Sequence, residues 1–153
     1  QLLLENRRLD LVAAEDNGLQ RTLLIVDDEH NIRQALIRLL RREGYNILVA
    51  AGPSEAFDIL AQHPVGVVLS DQRMPKMTGV EFLSRVKSLY PHTVRIVLSG
   101  YTDLESITNA INHGAIYRFM TKPWDDELLC QTLREAFRHY EHELISYSQA
   151  NGD

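Results

Sequence analysis

Five short, nearly unbroken apolar runs, separated by stretches of helical period, leave this chain very few folds to choose from. The runs are Thr22 to Val26, Tyr45 to Ala50, Val65 to Ser70, Val94 to Leu98 and Ala115 to Met120. Each has strand length, and each is bounded by turn residues or the start of a helical pattern. Between the first two, Ile32, Leu36, Leu39 and Leu40 recur with helical period before Gly44. Further helices are expected over Pro53 to Ala61, Gly79 to Leu89, Asp103 to His113 and from Asp125 onward. Pro53 suits a first helical turn, and Thr78-x-x-Glu81 and Thr102-x-x-Glu105 have the spacing of capping boxes. Strands that are apolar almost throughout belong to a parallel sheet covered on both faces. With right-handed crossovers, five such units give a doubly wound α/β fold.

In an open sheet of this kind, ligands bind at the carboxyl ends of the strands. Asp71 ends the third run there, followed by Gln72-Arg73-Met74-Pro75-Lys76-Met77-Thr78-Gly79. Asp27 and Asp28 follow the first run, Ser99 the fourth and Lys122, with Pro123 behind it, the fifth. Taken singly, each has a plain explanation: Asp71 starts a turn, Asp28 caps a helix, Ser99 is a turn residue and Lys122 a surface lysine. However, Thr102 already supplies a cap for the helix after Ser99, which leaves that hydroxyl without a structural task.

Together the residues have a chemistry. Three carboxylates in one pocket repel and raise one another's pKa unless a cation neutralises them. Mg²⁺ suits such a set, because it takes a few carboxylate oxygens, keeps waters and leaves positions for phosphate oxygens. One carboxylate can then act as a nucleophile on phosphorus, giving an acyl phosphate, with the metal and the lysine offsetting charge. A nearby hydroxyl can donate to the new phosphoryl group.

Composition narrows the function further. A chain of 153 residues, 24% charged with net charge −5, lacks the basic footprint of a nucleic-acid binder, so no direct nucleic-acid contact is expected. Cys130 is the only cysteine, which excludes an internal disulfide or thiolate cluster and fits a reducing cytoplasm. His139 and His142 share a helix face without a third ligand and read as solvated polar positions. No apolar run approaches the ~20 residues of a membrane span, and no secretory signal is visible. The chain begins at Gln1 without Met and reads as a piece of something longer.

Both ends carry apolar stripes. Leu2, Leu9 and Val12 suggest a helix over residues 2–16, stopped by Asp16-Asn17-Gly18. Leu129, Leu133, Phe137, Tyr140, Leu144 and Tyr147 extend the last helix beyond the three or four turns that should cover a sheet. The expected organisation is an N-terminal helical segment and linker over 1–20, a domain over 21–138, and over 139–153 an extension toward an output module or dimer partner.

Leu24-Ile25-Val26-Asp27-Asp28-Glu29, Ser70-Asp71-Gln72-Arg73-Met74-Pro75-Lys76-Met77-Thr78-Gly79, Val97-Leu98-Ser99-Gly100 and Phe119-Met120-Thr121-Lys122-Pro123-Trp124 resemble, in order, the motifs of response-regulator receiver domains of two-component signal transduction. The similarity covers about residues 21 to 138. It implies a flavodoxin-like five-stranded sheet of order 2-1-3-4-5 with five helices, the last extended. It also implies that Asp71 is the phosphoacceptor, charged by a sensor histidine kinase or phosphotransfer protein. Asp28, Asp71 and the Arg73 backbone carbonyl would ligate Mg²⁺, with Asp27 acting through a water. Ser99 and Phe119 would be the switch pair, Lys122 would pair with the phosphoryl group, and the Lys122-Pro123 bond would be cis. Phe119 stands where the family often has Tyr, so its switching would rest on packing alone. Gly100 leaves room for phosphoryl access, and Arg73 and Tyr101 would tune the lifetime of the acyl phosphate.

By this reading the chain is a cytoplasmic phosphorylation-controlled switch and not itself an enzyme. Its output domain lies in cis or trans, and a homodimer would form through the terminal helices or the surface of the fourth helix, fifth strand and fifth helix. That surface includes Tyr101, Tyr117 and Arg118. A constitutive interaction module that is never phosphorylated is one alternative. A phosphoaspartate-type phosphatase is another, although Asp71-Gln72-Arg73 lacks the second Asp of a D-x-D-x-T pattern.

Overall fold

A computed structural model of the chain describes residues 20–100 and 103–150. The helix expected over 2–16, Tyr101 and the Thr102 end of the second capping box lie outside the described residues.

Five parallel strands form one sheet in the order β2-β1-β3-β4-β5. They are β1 (Thr22–Val26), β2 (Asn46–Ala50), β3 (Val67–Asp71), β4 (Val94–Ser99) and β5 (Arg118–Thr121). The helices are α1 (His30–Leu40), α2 (Pro53–Gln62), α3 (Gly79–Leu89), α4 (Leu104–Asn112) and α5 (Asp126–Ala150). The expected doubly wound α/β class, five-stranded order and five helices are all present.

Side chains of a strand point alternately to its two faces, and the core divides accordingly. Leu23, Ile25, Val67, Leu69, Ile96 and Leu98 pack with Leu36 and Leu40 of α1 and Leu129, Leu133 and Phe137 of α5. Leu24, Val26, Val68 and Val97 pack on the other side with Leu60 of α2, Phe82, Leu83 and Val86 of α3 and Ile107 of α4. This two-sided burial is why the central runs contain almost no polar residue.

Element boundaries shift where chain geometry intervenes. A 3₁₀ turn, Arg41–Glu43, ends at Gly44 in the left-handed region, φ 81°, and β2 therefore starts one residue late. Tyr45 is a core residue instead, tilted against Phe137 with ring centroids 4.7 Å apart. In β4, Arg95 is only 9% exposed. Its guanidinium donates to the carbonyls of Pro91, Thr93, Gly114 and Ala115, and burial pulls its pKa down. That clasp holds Gly114 and Ala115, while the Ala115 and Ile116 N–H groups donate to Ala110 O, so the turn before β5 takes the first residues of the apolar run and the strand is shorter.

The long α5 stays on the domain well past Arg138. Tyr140 and Leu144 belong to the core, the Glu141 carboxylate receives two hydrogen bonds from Arg21 at 2.9 and 3.0 Å, and Tyr147 meets the His92 ring at 5.1 Å. His139 is stacked on Tyr117 with centroids 5.2 Å apart and sits 3.6 Å from Glu143.

Candidate phosphoryl-transfer site

Strand register assembles the site. Val26 is level with Ser70, Asp71 with Leu98, and Ser99 with Thr121, so β1, β3, β4 and β5 end at one edge. The ladder then runs one residue further at three places: Asp27 N–H donates to Ala50 O at 3.1 Å, Gln72 N–H to Leu98 O at 3.2 Å and Lys122 N–H to Ser99 O at 3.0 Å. Residues that would otherwise ride on loops are thereby fixed by the sheet.

Asp27, Asp28 and Asp71 bring carboxylate oxygens within 4.8 Å of one another, a spacing that suits one small cation. Asp27 and Asp71 are 1% and 6% exposed, whereas Asp28 faces solvent. Asp27 is already committed: Oδ1 accepts from Glu29 N–H at 2.9 Å, and Oδ2 from the Lys122 ammonium at 3.0 Å. Lys122 Nζ also lies 3.0 Å from Asp71 Oδ1, bridging the two buried carboxylates. Burial pushes the Asp71 carboxyl above its ordinary value; Lys122 opposes the shift and the Asp27 charge adds to it. Burial works against the Lys122 charge, but the hydrogen bonds and charges of both carboxylates prevail and hold its pKa up. The bond from Lys122 to Pro123 is cis.

Below Asp71 the chain turns tightly into α3. Gly79 N–H donates to Gln72 O, and the Gln72 side chain, 5% exposed, accepts from Val80 N–H at 2.9 Å. A Cβ on Gly79 would run into the Asp71 carbonyl. The expected Thr78/Glu81 capping box is complete, and its bonds from Thr78 lower the Glu81 pKa. Gln72 is a supporting residue that the sequence did not single out; a polar side chain between a strand and its helix was the available signal.

Across the edge, the Ser99 hydroxyl is employed, contrary to expectation. Its Oγ is 3.0 Å from Gly100 O and 3.0 Å from Asp103 Oδ2. The other Asp103 oxygen receives Arg73 Nη2 at 3.2 Å, so Asp103 joins Arg73 to Ser99. Sequence reasoning assigned Asp103 only the start of a helix. Among the described residues a Cβ on Gly100 would meet nothing within 4 Å, and Phe119 is partly buried against the α2–α3–α4 face of the core.

Sheet order and acidic edge together define a receiver-type signalling domain. The chain matches the response regulator receiver domain family over residues 23–134 and belongs to it. It is 46% identical over 117 residues to the hydrogenase transcriptional regulatory protein HoxA of Cupriavidus necator, a match covering 76% of this chain and 24% of that protein. The sporulation initiation phosphotransferase F of Bacillus subtilis is 34% identical over 119 residues, 77% of this chain and 91% of that protein. Among solved structures, the signal receiver domain of an HD domain-containing protein from Pseudomonas fluorescens Pf-5 shares 40% identity at a TM-score of 0.77, covering 81% of this chain and 91% of that one. The chain spans about a quarter of the length of the curated relatives it matches first. Among the described residues, no helix is long and apolar enough to cross a membrane.

Proposed function

We propose that this domain is a phosphorylation-controlled switch with Asp71 as phosphoacceptor. The observation that carries the reading is the set of three aspartates within 4.8 Å, two of them buried and bridged by Lys122. A carboxylate oxygen of Asp71 attacks phosphorus of a phosphohistidine on a sensor kinase or phosphotransfer protein. The P–N bond breaks, its electron pair stays with the imidazole, and an acyl phosphate forms.

Asp28, Asp71 and the Arg73 carbonyl would hold Mg²⁺, with Asp27 acting through a water because both its oxygens already have donors. The metal, when bound, offsets negative charge at the transferring group. Lys122 loses its bond to the free Asp71 carboxylate and follows the charge onto the phosphoryl group, and the Ser99 hydroxyl donates to a phosphoryl oxygen. Phe119 turns inward as Ser99 moves, and the surface of α4, β5 and α5, including Tyr117 and Arg118, changes with it. Arg73, Gly100 and Tyr101 tune access of water to the acyl phosphate.

The chemistry is self-modification, without turnover of a separate substrate. Residues 1–20 would be an N-terminal helical segment and linker, and 139–153 would extend the last helix toward an output module, in cis or trans, or a dimer partner. Homodimerisation would use the terminal helices or the α4-β5-α5 surface, and the setting is the cytoplasm. The likeness to about a quarter of HoxA, a transcriptional regulatory protein, supports an output module elsewhere.

Intact mass after incubation with Mg²⁺ and acetyl phosphate tests the reading. One phosphoryl group should be gained, and lost both in Asp71→Asn and without Mg²⁺. No gain in a folded sample given either acetyl phosphate or a phosphorylated kinase domain would count for the constitutive interaction module.

A further inference from the structure

A hydroxyl has one proton to give. In this structure the Ser99 proton faces two acceptors, Gly100 O and Asp103 Oδ2, each 3.0 Å away. The charged acceptor makes the stronger bond. Asp103 has no better reason to be where it is. It precedes α4 at the N-cap position, where an Asp ordinarily bonds to a free helix amide, yet its side chain makes no capping bond. Both of its oxygens are turned instead toward the site, one to Ser99 and one to Arg73, and its side chain is 16% exposed.

We infer that Asp103 is a positioning residue that keeps the Ser99 hydroxyl in its unphosphorylated arrangement, an inference that rests on Asp71 being the phosphoacceptor. A Ser99 proton given to Asp103 is not available to a phosphoryl oxygen, so the bond to Asp103 opposes the conformers in which Ser99 engages the phosphoryl group. Removing Asp103 raises the population ready to accept it and tightens binding of a phosphoryl mimic. The Arg73 contact contributes less, because that side chain is 73% exposed and its ion pair is screened by water.

The test is a titration of the full chain with beryllofluoride, which mimics a phosphoryl group on a carboxylate, in saturating Mg²⁺ and followed by amide NMR. Asp103→Ala should bind on the order of tenfold more tightly than wild type, the scale of a net hydrogen bond to a charged group. Before any beryllofluoride is added, its Gly100 amide should already lie part of the way toward the bound position. Asp103→Asn, which keeps a weaker acceptor of the same shape, should fall between the two and serves if the alanine variant does not fold.

Repetition in a Ser99→Ala background separates the mechanism from simple charge. There, Asp103→Ala should have no effect. The same gain with or without Ser99 would overturn the inference and assign the effect to loss of a negative charge near an anion site. Equal affinities of Asp103→Ala and wild type would overturn it as well. Failure of wild type itself to bind beryllofluoride would instead remove the phosphoacceptor reading, and this inference with it.

Discussion

The two corners that flank the site are built in opposite ways. Where β3 turns into α3, the turn is tightly fastened: the capping box closes the helix, Gln72 reaches Val80, and Gly79 lies against the Asp71 carbonyl with no room for a side chain. Where β4 turns toward α4, a Cβ on Gly100 would meet nothing within 4 Å among the described residues, and Asp103, at the N-cap position, makes no side-chain capping bond. The first corner carries the proposed acceptor and the second the proposed responder. A nucleophile has to be held in one geometry, whereas a residue that reports on its charge needs a second place to go. The contrast shows one edge of a sheet supplying both, through the handling of two loops.

The sharpest way to break this contrast is a single methyl group. Gly79→Ala should cost about 2–4 kcal/mol in denaturant unfolding, since the added carbon meets backbone that cannot move aside. The equivalent change at Gly100 should cost less than about 0.5 kcal/mol. Equal costs would mean the corners are alike. A smaller effect should follow from the caps. Thr78→Ala should lose about 1 kcal/mol and speed amide exchange in the first turn of α3. Asp103→Ala should leave exchange in the first turn of α4 unchanged, and faster exchange there would show that Asp103 caps its helix after all.

The smallest effect concerns pH. Held by its corner, Asp71 stays buried beside Asp27, and burial raises its pKa. The stability associated with a raised carboxyl is complete below the unfolded value, ordinarily ~3.9, and is lost as pH rises through the folded one. Asp71→Asn should therefore raise the melting temperature in metal-free buffer at neutral pH, with the gain fading as the pH falls toward the ordinary carboxylate range. A gain constant with pH would assign it to something other than the charge.

Much of this was legible in the residues because the relevant signals are local. Thr78 and Glu81 are three apart, so their cap can be read from spacing alone. A run that ends in Asp says which edge of a parallel sheet the carboxylate will occupy, and repeating this for four strands gives the site. The bond between Ser99 and Asp103 was hidden although the residues are four apart, because Asp at a helix start has a default role that masks any other. Arg73 and Asp103 are thirty residues apart and meet only through the strand order. Arg95 was concealed by its apolar neighbours: nothing in the run Val94 to Ser99 says that a guanidinium can be buried on backbone carbonyls. Likewise, the stripe along α5 continued evenly through Leu144, and spacing cannot say whether such a stripe covers its own sheet or another molecule.

The fastening of α5 has a mechanical consequence. Its 25 residues make a rod roughly 37 Å long, and a rod pivoting at one end moves its far end most. This one is also tied farther along, by Arg21 to the start of β1 and by the contact of Tyr147 with His92. A tilt would have to tear Arg21 from Glu141 or drag β1 along, so the rod behaves as a beam bolted to its frame. Force applied at its far end thus passes to β1 through Arg21 and to the segment just before β4 through His92.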